Sequence, residues 1–181
     1  MNKKIRWITE TALMLALLVS LQAITKPLGQ IVTGSCVNAI LAISVLVGGL
    51  SSGLTVALIS PVLAFLLGIA PMPLTVPAIM AGNCVYVWML HLLADKTGKV
   101  PVKQVVAWVI SAAAKFSTLY ILVAQLICGV LSESLIAAGH MKPPMVQALP
   151  VTFGLPQLIT ALIGGAVALL MFPVLKKALK K

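Results

Sequence analysis

Acid is almost absent from this chain. Of 181 residues, three are Asp or Glu, and charged residues of both signs make up 9%. Glu10, Asp95 and Glu133 form no acid/base pair, and no GxxxxGK(S/T) phosphate loop, HExxH helix or GxSxG elbow is present. Intrinsic ATP hydrolysis is therefore not expected, and these residues support no other enzymatic role. Aromatics are scarce at 5% and do not interleave with the basic residues, which excludes a stacking platform for nucleic acid. Cys36, Cys84 and Cys128 are odd in number, lack CxxC spacing and lie in or beside apolar segments. They read as inert thiols rather than a disulfide or metal site.

What the chain has in excess is apolar surface: 61% of its residues are hydrophobic, and the mean hydropathy is +1.14. A soluble domain of this length cannot hide so much, because folded proteins keep a charged exterior. Long apolar runs without strand-like alternation favour helices in lipid. The expected fold is all-α, a single integral membrane domain over 1–181, built as a six-helix bundle. Expected spans are 7–24, 37–50, 54–69, 76–93, 105–127 and 151–175; the second is short and either begins nearer Ile31 or sits tilted and buried in protein. They are punctuated by Lys26-Pro27-Leu28-Gly29, Ser51-Ser52-Gly53, Pro71-Met72-Pro73, Asp95 to Pro101 and Gly139 to Pro144. The basic start resembles a secretory signal, but Arg6, Glu10 and five further spans favour a retained first helix.

The net charge of +10 is topogenic in its distribution. With both termini cytoplasmic, Lys3, Lys4, Arg6, Lys96, Lys99, Lys103, Lys176, Lys177, Lys180 and Lys181 face inward, and only Lys26 and Lys142 face outward. Some of them also meet anionic membrane lipid. The outer side then carries connections 25–35, 70–75 and 128–150, the last long enough to suggest a function.

Lys115 stands alone inside the fifth span, too deep to snorkel easily, and reads either as a binding group or as a neutral or carbonyl-bonded lysine facing the bundle. Asn83 in the fourth span and Gln157 in the sixth are expected at a similar depth. Each alone reads equally as interhelical glue; together they imply a shared outward-facing binding cavity. Gln30, Thr33, Ser35 and Asn38 either close over that cavity or cap the second helix, with Ser35 or Thr33 as N-cap. Tyr86 and Tyr120 either add hydroxyls and ring faces to the pocket or simply pack. His91 and His140 read as packing and solvated side chains. No metal or other cofactor is expected.

Ala12 and Ala16 are an AxxxA step on the first span, so both lie on one helix face and let another backbone come close. That contact is either within the chain or with a partner. The stretch Thr11-Ala12-Leu13-Met14-Leu15-Ala16-Leu17 resembles the first helix of substrate-binding S components of energy-coupling factor (ECF) vitamin transporters. Span number, inner termini and basic inner loops agree with that resemblance over essentially the whole chain. The segment from Thr25 to Asn38 also looks like one branch of the family.

The resemblance implies a small receptor in the prokaryotic plasma membrane. It would bind a vitamin from outside and associate with a transmembrane coupling subunit (T component) and two cytoplasmic ATPases. It would then tip over in the membrane to release its cargo. It makes Ala12 and Ala16 docking residues, maps the pocket onto Asn83, Lys115 and Gln157, and gives Gly48 and Gly49 a role in tight packing, although ordinary helix packing explains those glycines equally. The Gly/Ser/Asn character of the outer segment resembles the cobalamin-specific type. Pantothenate, vitamin B6-type and hydroxymethylpyrimidine cargoes stay open. A stand-alone secondary transporter or channel is the competing expectation.

Overall fold

The computed structural model describes residues 2–69, 72–95 and 101–178. Lys96, Lys99, Lys180, Lys181 and Pro71, all used in the sequence reading, lie outside the described residues. Helix accounts for 89% of the structure, and no strand occurs among the described residues. In chain order the helices are α1 (Lys3–Thr25), α2 (Gln30–Gly48), α3 (Leu50–Leu66), α4 (Thr75–Leu93), α5 (Pro101–Leu119), α6 (Ser132–Ala137), α7 (Pro143–Phe153) and α8 (Leu155–Ala178). A 3₁₀ turn, Lys26–Leu28, joins α1 to α2, and a π-helical stretch, Tyr120–Val130, prolongs α5. Five helical segments are long and apolar enough to cross a bilayer, which is the pattern of a multi-pass membrane protein; α3 is apolar but shorter, at 17 residues.

Local chemistry sets several helix ends. Asn2 caps α1 by accepting from the Lys4 amide at 3.1 Å, and Arg6 pairs with Glu10 one turn later at 2.8 Å. Gly49, at φ +84°, makes the one-residue turn between α2 and α3, a backbone conformation that a side chain would strain. The break expected at Ser51-Ser52-Gly53 is therefore two residues early. Those residues instead lie inside α3, where Ser52 accepts from Thr11 of α1 at 2.9 Å and Gly53 leaves room for Val45 and Val87. Small residues in lipid serve close packing more often than termination.

The bundle is organised around α2, which packs against α8, α1, α3 and α4 and buries Asn38 through Val45. Its tightest contact is with α8. A methyl group on Gly164 would stand 2.4 Å from the Ser35 carbonyl oxygen and 2.7 Å from the Ala39 nitrogen, so the two backbones touch there. Thr160, Gly164 and Ala168 recur every four residues along that face of α8, all buried. Thr11 meeting Ser52, and Gly53 meeting Val45 and Val87, place the start of α1 with the end of α2, the start of α3 and the end of α4. This is called the Gly49 end below; the opposite end carries the start of α2.

The connection 128–150, expected as a long loop, is mostly helical. The wider π turn lets Leu119, Val123 and Ile127, four residues apart, share one face, and they form a second core with Met141, Leu149 and Phe153. The chain thus folds α7 back over the bundle, and Gly154 separates it from α8.

Candidate functional site

Lys115 is the most improbable residue of the bundle by burial, at 3% exposed on the inner face of α5. Its ammonium donates to Asn38 Oδ1 of α2 at 2.6 Å and to Asn83 Oδ1 of α4 at 2.7 Å. An ammonium carries three donors, so one N–H is left after these bonds. The Tyr86 ring stands 5.6 Å from Nζ, within range of a cation–π attraction.

The asparagines are themselves fixed. Asn38 Nδ2 donates to the Gly34 carbonyl at 2.9 Å and to Thr160 Oγ1 at 3.2 Å, while Thr160 donates to the Gln157 carbonyl at 3.1 Å. Four helices, α2, α4, α5 and α8, are therefore tied into one hydrogen-bonded cluster. The position of Asn38 follows from the close α2–α8 contact, because Gly34 and Gly164 let the amide reach Thr160.

The cluster forms part of the wall of a cavity of about 120 Å³ on the Gln30 side of the bundle. Asn38, Asn83, Lys115, Gln157, Gln30 and Thr33 all line it, as do Gln22, Ser60, Thr152 and Phe153. Apolar contact comes from Val37, Pro61, Ala64, Ile69 and Ile79. The lining holds no carboxylate, so its one formal charge is the lysine. Two buried polar atoms of the lining, Gln22 Oε1 and Thr33 Oγ1, have no hydrogen-bond partner. Such atoms are costly to leave without partners, and a polar group entering the cavity would satisfy them. Lys26 reaches from the 3₁₀ turn to the Gly68 carbonyl at 2.7 Å, linking the α1–α2 and α3–α4 connections beside this cavity.

Several expected residues sit elsewhere. Ser35 does not line the cavity; it donates to Ile31 O at 2.7 Å and borders an apolar groove between α1, α2 and α8. Neither Ser35 nor Thr33 is an N-cap, because α2 begins at Gln30 after Gly29. Tyr120 is 40% exposed and pairs with Phe116 at 5.9 Å between ring centroids, on the outside of α5. Tyr86 contributes its ring below Lys115, with its hydroxyl directed away toward Gly165. Ala12 and Ala16 are both exposed, with Leu13 and Leu17 beside them, so they are not covered by the described residues.

Gln22, Ser60, Thr152 and Phe153 escaped the sequence reading. Gln22 had a signal, an amide one turn from the end of an apolar helix. Phe153 and Thr152 had none, because their placement depends on α7 folding back. Comparison with protein-family models, curated proteins and solved structures finds no match. The functional reading therefore rests on the geometry of the chain itself.

Proposed function

We propose that this chain is the substrate-binding S component of an ECF-type importer in a prokaryotic cell membrane, taking up a small anionic micronutrient. In this reading α3 is counted as the sixth span, both termini are cytoplasmic, and the cavity opens outward. The observation that carries it is the buried Lys115 ammonium, held by two neutral amide oxygens in a cavity whose lining has no carboxylate. Burying an unpaired charge is expensive, and a ligand anion on the remaining N–H offsets that cost. Gln22 and Thr33 supply the acceptor and hydroxyl that a polar ligand body would use.

Size selects among cargoes. At about 120 Å³ the cavity lies below the roughly 300 Å³ at which drug-sized pockets begin. Cobalamin is far larger, so a compact hydroxylated carboxylate of the pantothenate type fits this reading better. The uncovered Ala12/Ala16 face supports docking of a coupling subunit, since a partner helix is what small residues in lipid accommodate.

The test is reconstitution. Vesicles holding the chain alone are expected to bind the acid that co-purifies with it, identified by mass spectrometry, without accumulating it. Accumulation is expected only when a coupling subunit and two ATPases are added with ATP. Uphill uptake by the chain alone would place it instead among self-sufficient secondary transporters.

A further inference from the structure

Below the cavity, α5 carries a second polar feature that shares only Lys115 with ligand binding. Gln104, Trp108, Ser111 and Lys115 are spaced four, three and four residues apart, so they form one stripe along the helix, running from its start to the cavity floor. Gln104 and Ser111 are buried with Lys115, and the stripe is flanked by Ala107 and Ala112, both at 0% exposure. The opposite face carries Val105, Val109 and Ile110, all exposed as lipid-facing residues would be. A polar stripe turned to the interior of a membrane bundle needs partners.

Its partners are incomplete. Tyr86 OH, at a residue fully buried on α4, has none, and neither has Trp108 Nε1 or Gln104 Oε1. The first two converge on α8: a methyl group on Gly165 would stand 2.4 Å from Trp108 Nε1 and 2.9 Å from Tyr86 OH. The two groups are thus near enough for one water to bridge. Buried waters are found where polar atoms would otherwise be orphaned in this way. The same glycine is what admits the indole, because the added methyl would come within 2.2 Å of Trp108 Cδ1.

We propose that the Gln104–Lys115 stripe of α5 is a hydrated track joining the Gly49 end of the bundle to the cavity floor, narrowed in this conformation where the Trp108 indole rests on Gly165. Water enters past Gln104, bridges Trp108 and Tyr86, passes Ser111 and reaches the ammonium from below. This goes beyond cargo binding and holds whether or not the chain is an importer subunit.

Substituted-cysteine accessibility tests it. Cys36, Cys84 and Cys128 are first replaced by alanine in the full chain, which is then reconstituted in vesicles. Val102→Cys, exposed near the start of α5, marks the side from which the track opens. A charged, impermeant methanethiosulfonate is expected to label Ser111→Cys from that side, about tenfold faster than lipid-facing Ile110→Cys, because the reagent attacks only a hydrated thiolate. Gly165→Ala, which displaces the indole, is expected to raise the Ser111→Cys rate further. If Ser111→Cys does not yield a monodisperse protein, Ala107→Cys on the same face gives the same reading one turn away. No labelling in either background, labelling only from the opposite side, or a rate indifferent to Gly165→Ala each overturns the track.

Discussion

Lys115 and Asn38, 77 positions apart in sequence, meet at 2.6 Å, and this contact sets the character of the whole interior. Asn38 lies eight residues into α2, or about 12 Å at 1.5 Å per residue. It presents its oxygen to the lysine and its nitrogen to Gly34 and Thr160, so the amide orientation is determined by its neighbours. Two neutral oxygens orient the ammonium without neutralising it. An anion entering the cavity would meet that charge without a competing carboxylate in the lining.

Replacing Lys115 by Met keeps the unbranched stem of the side chain and removes the ammonium with its charge. Binding of the co-purified acid is expected to weaken by about 1.5–3 kcal/mol, the usual worth of a hydrogen bond to a charged group, or roughly tenfold to a hundredfold in Kd. Titration calorimetry on detergent-purified protein reads this directly. An unchanged affinity would return Lys115 to a purely structural role in the bundle.

The cluster also makes a stability prediction. In a double-mutant cycle of Asn38→Ala and Lys115→Met, the two changes are expected to be coupled by about 1 kcal/mol, in the range found for interhelical hydrogen bonds in membranes. Reversible unfolding in mixed detergent supplies the four free energies. Strict additivity would mean that the two side chains do not act as a pair.

What the sequence made legible here was chemistry against an apolar background. A lysine and two amides on three separate helices stand out, and Asn83, Lys115 and Gln157 do line one cavity. Asn38 was assigned to a lid or cap because hydropathy places the start of its span at Val37, whereas the helix begins at Gln30 and carries polar residues through its first two turns. Tyr120 is five residues beyond Lys115, about 140° around the helix, and so faces away from the cavity. The α7 contribution was hidden because whether 143–153 is loop or helix depends on the second core under it, a tertiary effect. Small residues carried less signal. The closest approach of two helices is built by Gly34 and Gly164 on α2 and α8, and no motif in the sequence distinguishes these glycines from the others.

That contact yields a prediction of its own. Gly164→Ala would set a methyl 2.4 Å from the Ser35 carbonyl oxygen, a backbone atom that cannot rotate aside, so α8 must move away from α2. Overpacking of this kind costs about 1–3 kcal/mol. A lower melting temperature in detergent is expected, together with weaker ligand binding, since Thr160 and Gln157 move with α8. Gly129→Ala is the matched control: its added methyl would meet nothing nearer than 3.5 Å, and it is expected to leave the melting temperature unchanged. Equal melting for Gly164→Ala and the native chain would show that α2 and α8 do not need this approach.

The exposed face of α1 separates binding from delivery. Ala12 and Ala16 are exposed on α1, so Ala12→Leu with Ala16→Leu adds bulk on the outer face of that helix rather than in the core. Folding and ligand affinity are therefore expected to stay as they are. Where a coupling subunit must lay its own backbone against that face, two isobutyl groups prevent close approach. ATP-driven uptake by the assembled complex is expected to be lost, along with co-purification of the coupling subunit. The two readouts distinguish this outcome from general damage, because a misfolded receptor loses its ligand as well. Transport and assembly that persist in the double variant would move the docking surface off α1, and the alanines would then be facing lipid alone.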